Sequence, residues 1–140
     1  MSLIRNTLCR KLCPDLVIVR PDMESYAREA EKIRAVFRAY DPNFLPMSLD
    51  EAYMDLTEYL ERHPDQTAAE VVHELREKIC EATRLTASAG IAPNTFLAKV
   101  CSDMNKPNGQ FELEAKEEAV MEFVRKLSIR KSSISYLCKN

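Results

Sequence analysis

Apolar side chains recur along the first third of the chain with the period of an α-helix. They stand at alternating spacings of four and three residues, which places them on one helical face. Asp22 precedes this stripe and suits an N-cap, and Asp41-Pro-Asn43 ends it because the residue before a proline disfavours helical dihedral angles. We therefore predict a helix that buries the stripe in the core. The stripe consists of Tyr26, Ala30, Ile33, Phe37 and Tyr40.

Other segments have the composition of β-strands. Residues 16–19 (Leu-Val-Ile-Val) are mostly β-branched and lie between two prolines, which predicts a buried strand. Residues 44–57 predict a hairpin with a turn near 48–50 and a returning strand over 52–56. Two further strands are expected at residues 85–91 and 110–113.

Helix signals fill the second half of the chain. Thr67 and Glu70 have the spacing of a capping box, in which each side chain accepts a hydrogen bond from a backbone N–H group near the helix start. Pro93 suits the first turn of the next helix, and residues 116–127 predict the last one. The helix that begins near Thr67 is expected to bury Val71, Val72, Leu75, Ile79 and Ala82. The helix that begins near Pro93 is expected to bury Leu97, Val100, Cys101 and Met104.

The order of these elements determines the fold class. The predicted order is strand, helix, hairpin, helix, strand, helix, strand and helix, with short connections between them. A hairpin needs antiparallel pairing, which argues against a fully doubly wound parallel sheet. We predict an α/β protein of the α+β type: a two-layer, ferredoxin-like sandwich with helices packed on a mixed sheet.

Composition narrows the function classes. Hydrophobic residues make up 46% of the chain and charged residues 30%, which is ordinary for a soluble globular domain. The formal net charge of −2 and the pI of about 5.8 do not fit a strongly basic nucleic-acid binder, whereas an acidic site for divalent cations fits them well. No apolar stretch approaches the length of a membrane-spanning helix, so no membrane contact is expected.

Cysteine usage indicates a reducing, intracellular environment. The five cysteines are odd in number and irregularly spaced. Cys9 and Cys13 have no second Cys or His pair nearby, so a zinc site is not indicated.

Asp50 and Glu51 are the first candidates for chemistry. They are adjacent acids at the predicted hairpin turn, where a bend can direct both carboxylates toward one ion. Neighbouring anions repel each other unless a cation lies between them, and Mg²⁺ prefers carboxylate and phosphate oxygens. The alternative interpretation is a solvated acidic turn without a ligand.

A lysine and a segment of small residues are the other candidates. Lys106 stands in an Asn-Lys-Pro-Asn-Gly turn and can present its ammonium group to a phosphate; the alternative is an ordinary surface loop. Residues 87–94 carry small side chains that allow close approach of a ligand, or tight packing of a strand against a helix.

Four long motifs follow one another along the chain: Met47-Ser-Leu-Asp-Glu-Ala-Tyr53, Leu85-Thr-Ala-Ser-Ala-Gly-Ile-Ala-Pro-Asn94, Leu97-Ala-Lys-Val-Cys-Ser-Asp103 and Asn105-Lys-Pro-Asn-Gly-Gln110. In this order they resemble segments of the Y-family translesion DNA polymerases, and their sequences are most similar to the kappa branch of that family. The resemblance runs from about residue 9 to residue 131, and the number and order of the motifs make it specific.

The resemblance implies a palm-like catalytic domain over 11–131, between divergent segments at 1–10 and 132–140. It implies template-directed nucleotidyl transfer in DNA damage bypass, with Mg²⁺ as cofactor, primer-template DNA and a deoxynucleoside triphosphate as partners, and a nuclear location. By resemblance, Asp50 and Glu51 are catalytic metal ligands and Lys106 contacts the triphosphate.

Departures from the family pattern predict that this chain is a fragment. The family's first metal-binding aspartate lies before the matched region, and its thumb begins where the match stops. We therefore expect weak or absent DNA binding and no synthesis by the chain alone. The alternatives are a catalytically inactive palm that acts as an interaction module or, without the resemblance, a ferredoxin-like binding module.

Overall fold

The computed structural model describes residues 9–17 and 19–127, in which helices alternate with short strands. Of the predicted terminal segments, residues 1–8 and all of 132–140 lie outside this part. In the described part, no helix combines the length and apolarity needed to cross a membrane. Beyond residue 20 the elements are α1 (Met23–Arg38), β1 (Leu45–Pro46), β2 (Ala52–Tyr53), α2 (Thr57–Arg62), α3 (Ala68–Thr83), β3 (Ala89–Ile91), α4 (Thr95–Cys101), β4 (Gln110–Glu112) and α5 (Glu117–Lys126). The mixture confirms the predicted α/β class.

Helix α1 is the helix predicted from the first apolar stripe. The amide and hydroxyl of Ser25 both donate to the Asp22 carboxylate, which caps the helix, and these hydrogen bonds lower the pKa of Asp22. Ala30 and Tyr40 are buried as expected, but Tyr26 is 52% exposed. The prediction was wrong for Tyr26 because the hydrophobic cluster against which α1 packs begins at Ile33.

Within the described ranges, the strands form two separate two-stranded sheets. β1 and β2 pair antiparallel with Leu45 opposite Tyr53, which confirms the hairpin. β3 and β4 pair parallel with Ala89 opposite Gln110, and α4 provides the crossover between them. Because each sheet has only two strands among the described residues, β2 and β3 each keep one edge without a partner strand.

The strand predicted at residues 16–19 is absent from the described part of the chain, and Ile18 lies outside that part. Leu16, Val17 and Val19 form no strand and are 41%, 81% and 78% exposed. A β-branched run forms a strand only where a neighbouring strand supplies hydrogen-bond partners and an apolar face. Neither two-stranded sheet supplies them to this segment.

Two other predicted strands are shorter than expected, and side chains end them. The Arg76 Nε donates to the carbonyl of Ala87 at 2.9 Å, and β3 begins only at Ala89. The amide of Asp55 donates to the Asp41 carboxylate at 2.8 Å, and β2 stops at Tyr53. Backbone groups held by side chains in this way leave the sheet ladder.

Helix starts differ from the sequence prediction at two places. α2 was not predicted; the backbone amide and hydroxyl of Thr57 both donate to the Asp55 carboxylate at its start. α4 begins at Thr95 with Asn94 as its N-cap, so Pro93 stands just before the cap and not in the first turn. Short side chains that accept from nearby amides set both starts.

Among the described residues, two hydrophobic clusters stabilise the fold. The predicted core faces of α3 and α4 are confirmed except at Ala82 and Met104, which are exposed because each stands near or beyond the end of its helix. The first cluster joins α1, the hairpin, α2 and α3 around the buried residues Tyr40, Val71, Leu75 and Ile79. The second joins the β3–β4 sheet, α4 and α5 around Leu97, Cys101 and Leu113.

Replacing Thr67 by alanine is expected to lower the free energy of unfolding by about 1 kcal/mol, because its hydroxyl accepts from the amide of Glu70 at the start of α3. Urea unfolding followed by circular dichroism measures the change. Thr67→Ser keeps the hydroxyl and is the matched control. Equal stability of the alanine and serine variants would contradict the predicted role of the cap.

Candidate functional site

The hairpin loop presents Asp50 and Glu51 at the surface. The amides of Met47 and Ser48 both donate to the backbone carbonyl of Glu51, which closes the loop. The Ser48 hydroxyl donates to the Asp50 carboxylate at 2.7 Å. Both acids are exposed, so their carboxylates retain free lone pairs for a ligand.

Glu51 forms an ion pair with Lys99 on α4, which links the hairpin to the second hydrophobic cluster. The other ion pairs of the described residues join groups within seven positions of each other in sequence, so this one is the long-range contact. The hydrogen bond to Glu51 raises the pKa of Lys99, and burial opposes that rise. The side chains of Lys99 and Glu51 are 35% and 48% exposed, so solvent screens the pair only in part.

Lys106 lies in a turn that Arg76 fixes from α3. The Arg76 guanidinium donates to the carbonyl and the side-chain oxygen of Asn108 at 2.7 and 2.8 Å, and to the Gln110 side chain at 3.0 Å. Asn108 has φ of 48°, a conformation that asparagine tolerates better than most residues. The Lys106 ammonium forms an ion pair of 2.6 Å with Asp103.

One open groove of about 1650 Å³ brings the predicted site residues together. Its walls come from α1, the hairpin, β3, α4 and the Lys106 turn, and much of its lining is apolar. Asp50, Glu51, Lys99 and Lys106 all line it. The structure thus places the two candidate acids, Asp50 and Glu51, and the candidate phosphate-binding Lys106 in the same groove.

The donor set of the groove fits a divalent cation in part. Asp50 and Glu51 supply the carboxylate oxygens that Mg²⁺ prefers, and the Lys99 ammonium already occupies a cation position against Glu51. Among residues 9–17 and 19–127, no group of three or more acid, histidine or cysteine side chains is arranged to hold a metal. At the hairpin, Asp50 and Glu51 therefore supply two carboxylates to this groove, fewer than such a group needs.

The segment of small residues serves tight packing. A Cβ atom on Gly90 would lie 2.0 Å from the carbonyl oxygen of Ala98, so β3 and α4 touch through their backbones. The side chain of Asn94 accepts from the amide of Leu97 and caps the short helix. Of the two interpretations of this segment, these contacts support the packing of a strand against a helix.

Sequence reasoning missed four residues that support the site: Arg76, Lys99, Asp103 and Asp41. Asp41 is a buried carboxylate that accepts from the amides of Asn43 and Asp55 and anchors the hairpin base. Arg76 had a weak signal, a charge directly beside the core position Leu75. Lys99 and Asp103 lie within the Leu97–Asp103 motif, but the motif did not reveal their partners, because these depend on contacts between distant segments or on a turn.

A model of the impB/mucB/samB family matches residues 3–103. The chain belongs to this family, the Y-family DNA polymerases. The resemblance found in the sequence motifs is thereby confirmed, and the groove described above lies in a Y-family chain.

Relatives of this Y-family chain include both eukaryotic and bacterial polymerases. DNA polymerase kappa of Arabidopsis thaliana is 50% identical over 124 residues, which cover 89% of this chain and 18% of that protein. DNA polymerase IV of Shewanella halifaxensis is 47% identical over 121 residues, which cover 86% of this chain and 33% of that protein. The chain thus spans a third or less of these two relatives.

Solved structures with the same fold are Y-family enzymes. A Y-family DNA polymerase chimera of Dbh and Dpo4 superposes with a TM-score of 0.78 at 26% identity, over 94% of this chain and 37% of that one. DinB from Sulfolobus solfataricus superposes with a TM-score of 0.78 at 25% identity, over 91% of this chain and 36% of that one. These matches confirm the predicted likeness to the polymerase palm.

Proposed function

We propose that this chain is part of the palm of a translesion DNA polymerase, and that its groove is one wall of a nucleotidyl-transfer site. Asp50 and Glu51 bind Mg²⁺, and Lys106 binds the triphosphate of an incoming deoxynucleotide. The observation that carries the proposal is that all three residues line one groove. Membership in a polymerase family agrees with it.

The chain's own residues have distinct tasks in this proposal. The Glu51 and Asp50 carboxylates hold positive charge at the hairpin, where the loop closed by Met47 and Ser48 fixes their backbone. Lys106 offers a mobile point charge to phosphate oxygens, on a turn that Arg76 keeps rigid. Mg²⁺, when bound, supplies charge neutralisation at the phosphate oxygens and favours attack by a primer 3′-hydroxyl.

A complete site needs a third carboxylate, which the described residues do not provide. We propose that it arrives on an additional strand between the two sheets. β2 and β3 both line the groove, and each has an edge without a partner strand in the described part. Such a strand would form hydrogen bonds with the unpaired backbone groups at these edges and would cover the apolar lining of the groove.

The proposed setting is the nucleus, with primer-template DNA as the partner of the complete enzyme. The eukaryotic kappa relative supports this setting, whereas the bacterial relatives share the chemistry and not the compartment. A formal net charge of −2 gives the chain little attraction for the phosphate backbone, so we propose that DNA binding by the 140 residues alone is weak or absent.

The 140-residue chain by itself is expected to give no primer extension with Mg²⁺ and all four deoxynucleotides, because its described residues hold two site acids and no third. Gel analysis of a labelled primer measures the product, and Arabidopsis DNA polymerase kappa is the positive control. Extension that disappears in Asp50→Asn would show that the chain alone is an enzyme. The alternative role as an inactive interaction module would remain if the chain also fails in the next test.

Transplanting the chain into a relative tests the proposed role of the palm directly. Residues of this chain would replace the matching segment of Arabidopsis polymerase kappa, with which it shares 50% identity over 124 residues. We expect the chimera to extend primers under template control. A folded chimera that binds DNA and deoxynucleotide but does not extend the primer would contradict the proposed function.

A further inference from the structure

Four charged side chains form an alternating series beside the groove, and three of them, Glu51, Lys99 and Lys106, line it. Glu51 pairs with Lys99, and Asp103 pairs with Lys106. Glu51 and Lys106 are the two groups to which the proposed function assigns ligands. Both therefore have an internal partner of opposite charge in this structure.

The two inner members of the series, Lys99 and Asp103, are close enough to interact. They stand four positions apart, with Lys99 in the last turn of α4 and Asp103 two residues beyond its end. Glu51 has the largest effect on the pKa of Lys99, and the negative charge of Asp103 raises it further. The described side chains show no direct ion pair between Lys99 and Asp103, since each is occupied by its outer partner.

We propose that Lys99 and Asp103 are positioning residues that exchange partners when the site is loaded. In the empty site they neutralise Glu51 and Lys106. When a divalent cation binds Glu51 and a phosphate binds Lys106, both inner groups are released and pair with each other. This inference rests on the proposed function and adds how its site residues are held before ligands arrive.

Charge accounting favours the exchange. A divalent cation at Glu51 repels the Lys99 ammonium, which is only 35% exposed and would lose its partner. A phosphate at Lys106 likewise repels the Asp103 carboxylate. Pairing these two groups leaves no charge unpartnered, and no proton moves in the exchange.

The competing explanation is that the Glu51–Lys99 pair is only a structural bridge between the hairpin and α4. A static bridge and partner exchange both predict tighter cation binding once Lys99 is removed, because a positive charge beside Glu51 disappears. A static bridge predicts that Asp103→Asn has the same effect on cation affinity with and without Lys99. Partner exchange predicts that Asp103→Asn weakens cation binding only while Lys99 is present, because released Lys99 then lacks its new partner. The two explanations therefore differ in the coupling between Lys99 and Asp103.

Titration of the 140-residue chain with Mn²⁺ distinguishes them. Paramagnetic broadening of the amide signals near Asp50 and Glu51 gives the dissociation constant. Lys99→Met is expected to tighten Mn²⁺ binding by about fivefold, and Asp103→Asn to weaken it by about threefold because displaced Lys99 has no new partner. In a Lys99→Met background, Asp103→Asn should change affinity by less than about 1.5-fold, which is the signature of coupling.

Lys116→Met is the matched control, because Lys116 pairs with Glu114 on an exposed surface and does not line the groove. Lys99→Gln provides a second neutral variant, and the amide spectra show whether each variant is folded. Unchanged or weaker binding in folded Lys99→Met and Lys99→Gln would overturn the partner exchange and leave the proposed function standing. Equal effects of Asp103→Asn in both backgrounds would also overturn the exchange. Absence of Mn²⁺ broadening near residues 50 and 51 in every variant would overturn both.

Discussion

Replacing Glu51 by glutamine in the chimeric polymerase should lower kcat/KM for nucleotide insertion by about 10³-fold. Glutamine keeps the size of the side chain and removes the negative charge that holds Mg²⁺ at the hairpin, so stabilisation of the transition state is lost. Asp50→Asn should have an effect of the same order. Single-turnover insertion of one nucleotide measures both.

The control for this experiment is Glu114→Gln. Glu114 is also an exposed glutamate with a lysine partner, at 2.7 Å, but it does not line the groove. Its substitution should leave kcat/KM within about twofold, as expected of an exposed surface pair. If the Glu51→Gln variant inserts the nucleotide at the unaltered rate, Glu51 is not part of the site. The same result for Asp50→Asn would exclude Asp50 from the site.

Gly90→Ala should lower the free energy of unfolding of the chain by about 3 kcal/mol. The added Cβ would lie 2.0 Å from the carbonyl oxygen of Ala98 and 2.4 Å from the amide nitrogen of Ser102. Both are backbone atoms that cannot rotate away, so β3 and α4 must separate. Because α4 carries Lys99, the same change should disturb the contact with Glu51.

Urea unfolding measures the effect of Gly90→Ala, and Ser88→Ala two residues earlier is the matched control. Ser88 precedes the strand, so its loss of a hydroxyl should change the unfolding free energy by less than about 0.5 kcal/mol. An unfolding midpoint for Gly90→Ala equal to that of the unaltered chain would show that β3 and α4 can separate without cost.

Elements with a local cause were predictable from the sequence. Asp22 and Thr67 cap helices through hydrogen bonds that span three residues, and the capping box is present as predicted. The hairpin at 45–53 likewise depends on one short loop. Such features need no knowledge of the rest of the chain, because both partners are read from adjacent positions.

Features that depend on distant partners were not predictable. The run at 16–19 has strand composition, but strand formation requires a neighbour that local sequence does not reveal. The ion pair between Glu51 and Lys99 joins residues 48 positions apart, and the support of the Lys106 turn by Arg76 spans 32 positions. The candidate acids and the candidate lysine were identified from sequence motifs, whereas the residues that hold them were identified only from contacts in the structure.

The two hydrophobic clusters in the described part of the chain predict that it unfolds locally in two units. Hydrogen exchange should show one group of amides protected around Val71 and Ile79, and another around Leu97 and Cys101, with different opening free energies. The hairpin acids lie beside the first unit and Lys99 lies in the second, whereas Arg76 ties the Lys106 turn to α3 of the first unit. A small hinge movement between the units would therefore change the separation of Glu51 and Lys99.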